Sequence, residues 1–155
     1  MKIALGSDHV GYALKTLIIE HLSKRGIECR DFGASNGEQG ANYITHGKAV
    51  AQAVQSGDAD FGIVICGSGV GISLIANKFK GIRAVLCNCE YVARVCRSHN
   101  NANVLALGAT VTGRSLGLAI VDAFLAEPFD TTSWDGWNKA RIDELTAFES
   151  SQFRS

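Results

Sequence analysis

The sequence predicts an α/β protein: a three-layer, doubly wound, Rossmann-like sheet of about five parallel strands with helices on both faces. Three observations carry this. Short β-like runs alternate with helical patterns along the whole chain, several of the runs end in Gly, Asp, Asn or Cys, and each run is followed by a helical segment. Strands that each lead into a helix form parallel sheets, and right-handed crossovers place the helices on both faces. The first strand is read in KIALGSD, and the helix after it carries Leu14, Leu17, Ile18, His21 and Leu22 on one face. ECRDFGA is the second strand, followed by a helix with Val50, Ala53 and Val54 on its apolar side. DFGIVIC is the third, and its helix starts after Gly71 and runs through ISLIANKF. RAVLCN leads into a fourth helix, EYVARVCRSHN, and NVLALGA into a fifth, RSLGLAIVDAFLAE, which stops at Pro128, the only proline. From about residue 129 a tail with Trp134 and Trp137 carries a last helix near NKARIDELTAFESS. In such a fold ligands bind where strand C-termini meet helix N-termini, so GSDH, CGSGVG and LGATVTG are expected on one rim.

A chain of 155 residues suits a single domain over 1–155. Fifteen basic and fifteen acidic side chains cancel, which gives no electrostatic case for nucleic acid or an anionic membrane. Five cysteines (Cys29, Cys66, Cys87, Cys89 and Cys96) are an odd set with no CxxC pair, unlike a disulfide framework or a zinc site. A reducing, cytoplasmic setting is expected. The apolar stretch before Gly6 is too short for a secretion signal, and no later segment approaches the ~20 apolar residues of a membrane span.

The most informative stretch is VICGSGVGIS, residues 64–73. Gly67, Gly69 and Gly71 allow close approach of a ligand, so several N–H groups can converge on one negative charge where a helix begins. Cys66 stands at the head of this loop, where the positive end of a helix dipole favours a thiolate. A phosphatase-like nucleophile would need an arginine within the loop, and CGSGVGIS has none. A base beside an oxyanion hole is what removal of a proton next to a carbonyl requires.

The stretches MKIALGSDHVGYALK, ICGSGVGISLIANKFKGIRAVLC, SHNNANVLALGA and IVDAFL resemble the family of ribose-5-phosphate isomerase B and the galactose-6-phosphate isomerase subunits. The resemblance implies an aldose–ketose isomerase that needs no cofactor and no metal. It also implies a homodimer or dimer of dimers with a shared active site. By position, it makes Cys66 the base that shuttles a proton between C1 and C2, and His99 the acid that opens the sugar ring. Gly67, Ser68, Gly69, Val70 and Gly71 become the enediolate hole, with Ser68 where the family often has threonine. Asp8 and His9 match positions that hold sugar hydroxyls and phosphate, Tyr43 lies in the substrate-side loop, and Asn100 matches a carbonyl-side contact. The implied partner is a small sugar or sugar phosphate, by default a pentose 5-phosphate.

Ordinary roles are available to each residue. Asp8 can cap the first helix as well as bind substrate, and His99 and Asn100 can cap the fourth. His21 and His46 are expected to be structural, packing is expected for Cys29, Cys87, Cys89 and Cys96, and the tryptophans are expected in the core or at a subunit contact, with a sugar-facing ring as the alternative for Trp137. A non-catalytic sugar-phosphate or nucleotide binding module is a second reading, and a thiol redox protein a third.

Two departures concern the far end of the substrate. The family's G-[SGA]-R after the last strand is Gly108-Ala109-Thr110 here, and its pair of arginines four residues apart aligns with Trp137 and Arg141. Losing two charge-assisted hydrogen bonds of about 1.5–3 kcal/mol each weakens phosphate binding by roughly two to four orders of magnitude. Either Arg114 or Lys139 takes over, or Thr110, Trp137 and Arg141 bind the far end of a different phosphorylated sugar or of an unphosphorylated one. In NYITHG, Asn42 and Ile44 replace the usual neighbours of the tyrosine.

Overall fold

The computed structural model describes residues 1–38 and 40–152. Within them the order is β1 (Lys2–Ser7), α1 (Tyr12–Ser23), β2 (Glu28–Asp31), α2 (Tyr43–Gln55), β3 (Phe61–Cys66) and α3 (Val70–Ala76). It continues with β4 (Ala84–Leu86), α4 (Glu90–Ser98), β5 (Val104–Gly108), α5 (Arg114–Ala126) and α6 (Ser133–Gln152). The expected parallel α/β sheet is present, in the order β2-β1-β3-β5-β4 with every pairing parallel.

This order dictates the layers. The chain steps from β1 outward to β2, returns past β1 to β3, moves on to the far edge at β4, and comes back to β5. Right-handed crossovers of opposite direction fall on opposite faces, so α1 and α4 cover one side and α2 and α3 the other. Helix α5 packs against α1 and α4, completing the first layer. Side-chain alternation follows: Ile3, Leu5, Ile63, Ile65, Leu105 and Leu107 point to the α1/α4/α5 face. Ala4, Val64, Cys66, Val104 and Ala106 point to the other.

The second face is built of smaller residues, and α2 lies closer to it. A Cβ on Gly6 or on Gly62 would come within 2.7 Å of a Val50 methyl. The same alternation turns the Cys66 side chain toward the side on which α3 begins. Strand parity therefore decides which layer receives the thiol.

A buried cation, not anticipated from the sequence, fixes the loop that follows β2. Lys15 on α1 is fully buried, and its Nζ donates to both carboxylate oxygens of Asp31 (2.8 and 2.6 Å) and to the Ala34 carbonyl (2.7 Å). A buried charge persists when paired and fully hydrogen-bonded. Gly33 fits beneath it because a Cβ there would lie 2.6 Å from the Ser7 nitrogen. His21 pairs with Asp122 of α5 at 2.8 Å, and His46 Nδ1 lies 2.6 Å from the Phe32 carbonyl, so both contacts tie elements together. Among the described residues, no helix is long and apolar enough to cross a membrane.

Candidate active site

At the C-terminal rim, four of the expected segments close around the end of β3. Asp8 N–H donates to the Ile65 carbonyl (3.3 Å), and Asp8 Oδ1 accepts from Gly11 N–H (2.9 Å). The carboxylate thus closes the turn that leads into α1. Its contact falls on the residue before the helix, so its hydrogen bond organises the loop and not the first helical turn. His9 Nδ1 lies 3.4 Å from the Ala41 carbonyl, joining this loop to the one that carries Tyr43. Asn42 caps α2 by accepting from Ile44 N–H (2.9 Å), which sets Tyr43 at the first helical position. The Tyr43 ring leans on Gly71, where a Cβ would lie 2.9 Å from it.

The glycine loop itself wraps the sulfur. Gly69 N–H donates to Cys66 Sγ at 3.2 Å, and Val70 N–H donates to Ser68 Oγ at 3.3 Å. Among the described residues, the N–H groups of Gly67, Ser68 and Gly71 meet no acceptor. From the other side, Thr110 donates through its N–H (3.0 Å) and hydroxyl (2.7 Å) to the Gly67 carbonyl. Ala109 N–H likewise reaches the Cys66 carbonyl at 2.9 Å. Thr110 therefore braces the loop through both its main chain and its hydroxyl. Cys66 is buried, only 5% exposed. Gly67 stands clear of its neighbours: a Cβ there would meet only Val10, at 3.7 Å.

Gly69 is the residue the loop cannot replace. Its φ is +78°, and a Cβ would lie 2.5 Å from Leu86 and 2.8 Å from the Leu107 backbone. Gly69→Ala is expected to cost about 2–4 kcal/mol from left-handed strain and overpacking. The thermal midpoint should fall by roughly 5–15 °C. An unchanged midpoint would show that the loop does not hold this conformation.

A second cluster lies at the opposite end of the sheet. His99 is the C-cap of α4, its N–H bonded to the Val95 carbonyl at 2.8 Å. The turn after it, with Asn101 at φ 48°, leads directly into the start of β5. Buried Arg97 holds that turn: it donates to the Ala102 carbonyl (2.6 Å) and Asn101 Oδ1 (3.2 Å) while stacking on Phe61 at 4.5 Å. His99 meets Trp134 edge to face, with ring centres 5.3 Å apart. Trp137 carries the Arg141 guanidinium over its ring at 4.4 Å, and Arg141 pairs with Glu144 at 2.7 Å. Asn100 lines a separate cavity of about 310 Å³ with Asn77, Arg83 and Glu149.

Asp8, His9, Tyr43, Thr110 and residues 66–71 therefore come together, as do His99, Trp137 and Arg141. The two groups do not meet within one chain. Val104 pairs with Gly62 at the start of the strands and Gly108 with Cys66 at their end. At about 3.3 Å per residue this separates the clusters by more than about 13 Å. Fold topology explains it, since α4 runs antiparallel to the strands and carries His99 away from the rim.

The chain matches the family model described as Ribose/Galactose Isomerase over residues 3–145. It belongs to that family. Ribose-5-phosphate isomerase B of Escherichia coli (strain K12) is 47% identical over 148 residues, covering 96% of both chains. The structure of ribose-5-phosphate isomerase B from Clostridium thermocellum superposes with a TM-score of 0.92 at 47% identity, covering 98% of this chain and 99% of that one. That of ribose-5-phosphate isomerase B from Mycoplasma genitalium, with bound ribulose-5-phosphate, gives 0.89 at 37% identity, covering 96% of each. The family, the enzyme class (an isomerase) and the α/β fold expected from the sequence are all borne out.

Other expectations require correction. Cys89 is exposed, so it does not serve packing, whereas Cys87 and Cys96 are buried with their sulfurs 3.9 Å apart. The hydrogen bond between them raises the Cys87 thiol and lowers that of Cys96. Trp134 and Trp137 are 66% and 54% exposed within one chain, which overturns only the core half of their expectation. The sequence reading also missed Asn138, whose buried side chain adjoins His99 and both tryptophans. A polar residue one position after Trp137 gave no periodic signal that it would turn inward.

Proposed function

We propose that the chain interconverts an aldose and a ketose through a cis-enediolate, with a pentose 5-phosphate of the ribose/ribulose type as its substrate. The observation that carries this is the main-chain donor of Gly69 facing the Cys66 sulfur at the mouth of an open glycine loop. In the forward direction the Cys66 thiolate takes the proton from C2 of the open-chain aldose. Electrons left on carbon pass to the carbonyl oxygen, which the open amides of Gly67, Ser68 and Gly71 hold as an oxyanion, the Gly69 and Val70 amides being taken by Cys66 Sγ and Ser68 Oγ. The O2 hydroxyl gives its proton to O1 while the thiol returns its own to C1, so that C2–O2 becomes the ketose carbonyl and Cys66 is a thiolate again. No atom is gained or lost.

His99 acts as the acid that opens the sugar ring. Asp8, Tyr43 and Asn100 hold the hydroxyls and the carbonyl end, and His9 with Arg141 holds the distal group. Cys66 and His99 stand at opposite ends of one chain, so they can serve one substrate only when a second copy supplies His99, Asn100 and Arg141. This supports a homodimer, or a dimer of dimers, with shared sites. Free thiols on five cysteines suit a reducing, cytoplasmic setting.

The test is isomerisation in D₂O of ribose 5-phosphate and a panel of other aldose phosphates. Solvent deuterium should appear at the carbon beside the carbonyl. Absence of exchange across the panel would overturn the reading and leave a sugar-phosphate binding module in its place.

A further inference from the structure

Two successive carbonyls at the end of β3 face the same neighbour. The Cys66 carbonyl accepts from Ala109 N–H (2.9 Å) and the Gly67 carbonyl from Thr110 N–H (3.0 Å), both in the segment that follows β5. Consecutive carbonyls of an extended strand point to opposite sides, so the chain has left strand geometry at Gly67. A trans peptide sets its N–H opposite to its C=O. Because both carbonyls turn toward β5, the N–H groups of Gly67 and Ser68, which belong to the same two peptide units, turn away from it together. Successive N–H groups on one side make a concavity for an anion. These are two of the three loop amides that meet no acceptor among the described residues.

Thr110 does more than continue this pairing. Its hydroxyl donates to the same Gly67 oxygen at 2.7 Å, so that carbonyl answers two donors and both of its lone pairs are taken. Thr110 is itself held by a tight turn, in which Val111 N–H (3.0 Å) and Thr112 N–H (2.7 Å) both bond to the Gly108 carbonyl. The glycine loop rests directly on that turn: a Cβ on Gly108 would lie 2.6 Å from the Ser68 carbonyl oxygen. Hydrogen bonds in series polarise one another, so two donors on the Gly67 oxygen strengthen the Ser68 N–H at the other end of the same peptide.

We propose that Thr110 is a positioning residue for the isomerisation: through the Gly67 carbonyl, its hydroxyl aims and polarises the Ser68 N–H toward the oxygen that becomes negative in the enediolate. The proposal rests on the isomerase reading above. Thr110 acts through that carbonyl and needs no contact with the reacting atoms. Its contribution grows as charge moves onto the oxygen, so it belongs to the rate of the chemical step and not to binding of the uncharged carbonyl.

The unaltered protein is compared with Thr110→Val, which exchanges the hydroxyl for a methyl and keeps the main-chain bond, and with Thr110→Ser, which restores the hydroxyl. With ribose 5-phosphate, Thr110→Val should lower kcat about tenfold, less than the cost of about 10²- to 10³-fold for a whole oxyanion donor. KM should stay within about twofold, and Thr110→Ser should recover most of the loss. A second measurement reads the charge itself. By titration calorimetry, an aldonohydroxamate phosphate matched in length to the pentose phosphate, whose anion copies the planar enediolate, should bind Thr110→Val about tenfold more weakly. Ribitol 5-phosphate, which has no carbonyl, should bind it within about twofold of the unaltered protein. A general loosening of the loop would weaken both ligands alike and raise KM, and that result overturns the proposal, as does an unchanged kcat in the folded Thr110→Val protein. Should that variant fail to fold, Thr110→Ala set against Thr110→Ser carries the same comparison, and equal kcat values overturn it. Absence of turnover by the unaltered protein removes the isomerase reading and this proposal together.

Discussion

Cys66→Ala is expected to lower kcat by about 10²- to 10⁴-fold, the usual contribution of a positioned acid–base group. KM should change far less, because the substitution removes an atom that acts on the C–H bond and leaves the loop amides in place. The fold should survive: the side chain is small, and alanine already occupies neighbouring positions on that face, among them Ala4 and Ala106. Solvent-deuterium uptake into the sugar separates this from a binding defect, since uptake and isomerisation should vanish together. Full exchange by the alanine variant would show that another group moves the proton. Cys66→Ser is a sharper version, for it keeps a hydroxyl near the Gly69 N–H while removing a proton acceptor effective at neutral pH.

Mixing two inactive variants should restore activity. His99→Ala and Cys66→Ala each remove one half of every site if the halves come from different copies. After random reassortment of a dimer at equal amounts, half of the pairs are mixed, and each mixed pair holds one site with both groups intact. About a quarter of the unmixed wild-type activity should return. The strands set the logic, since no rotation of side chains brings the C-cap of α4 to the end of β3 across more than about 13 Å. Failure to regain activity, with exchange of subunits confirmed by mass, would place the working acid within the same chain as the thiol.

Much of the architecture was legible because a doubly wound sheet writes itself in alternation. Ile3, Leu5, Ile63 and Ile65 mark one face and Ala4, Val64 and Cys66 the other, each strand ending at a turn residue. Strand order was not legible, because periodicity says which residues are buried and not which strand lies beside which. The rim cluster was also readable: glycines at alternate positions after an apolar run can hardly be anything but a loop. The distance from that cluster to His99 depends on helix direction in three dimensions, and the sequence motif SHNN carries no trace of it. Lys15 and Asn138 escaped for a related reason. Each is polar at a position that packing turns inward, and only the tertiary neighbours show it: Asp31 with Ala34 for Lys15, and His99 with both tryptophans for Asn138.

Placing the sulfur and the imidazole at opposite poles of one small scaffold has an evolutionary consequence. With the two groups working in one shared site, as proposed, after gene duplication one paralogue can drop the thiol and the other the imidazole, and each heteromeric pair still retains one intact catalytic centre. Neither product would then function alone, so the two genes would become mutually dependent without any new chemistry having arisen.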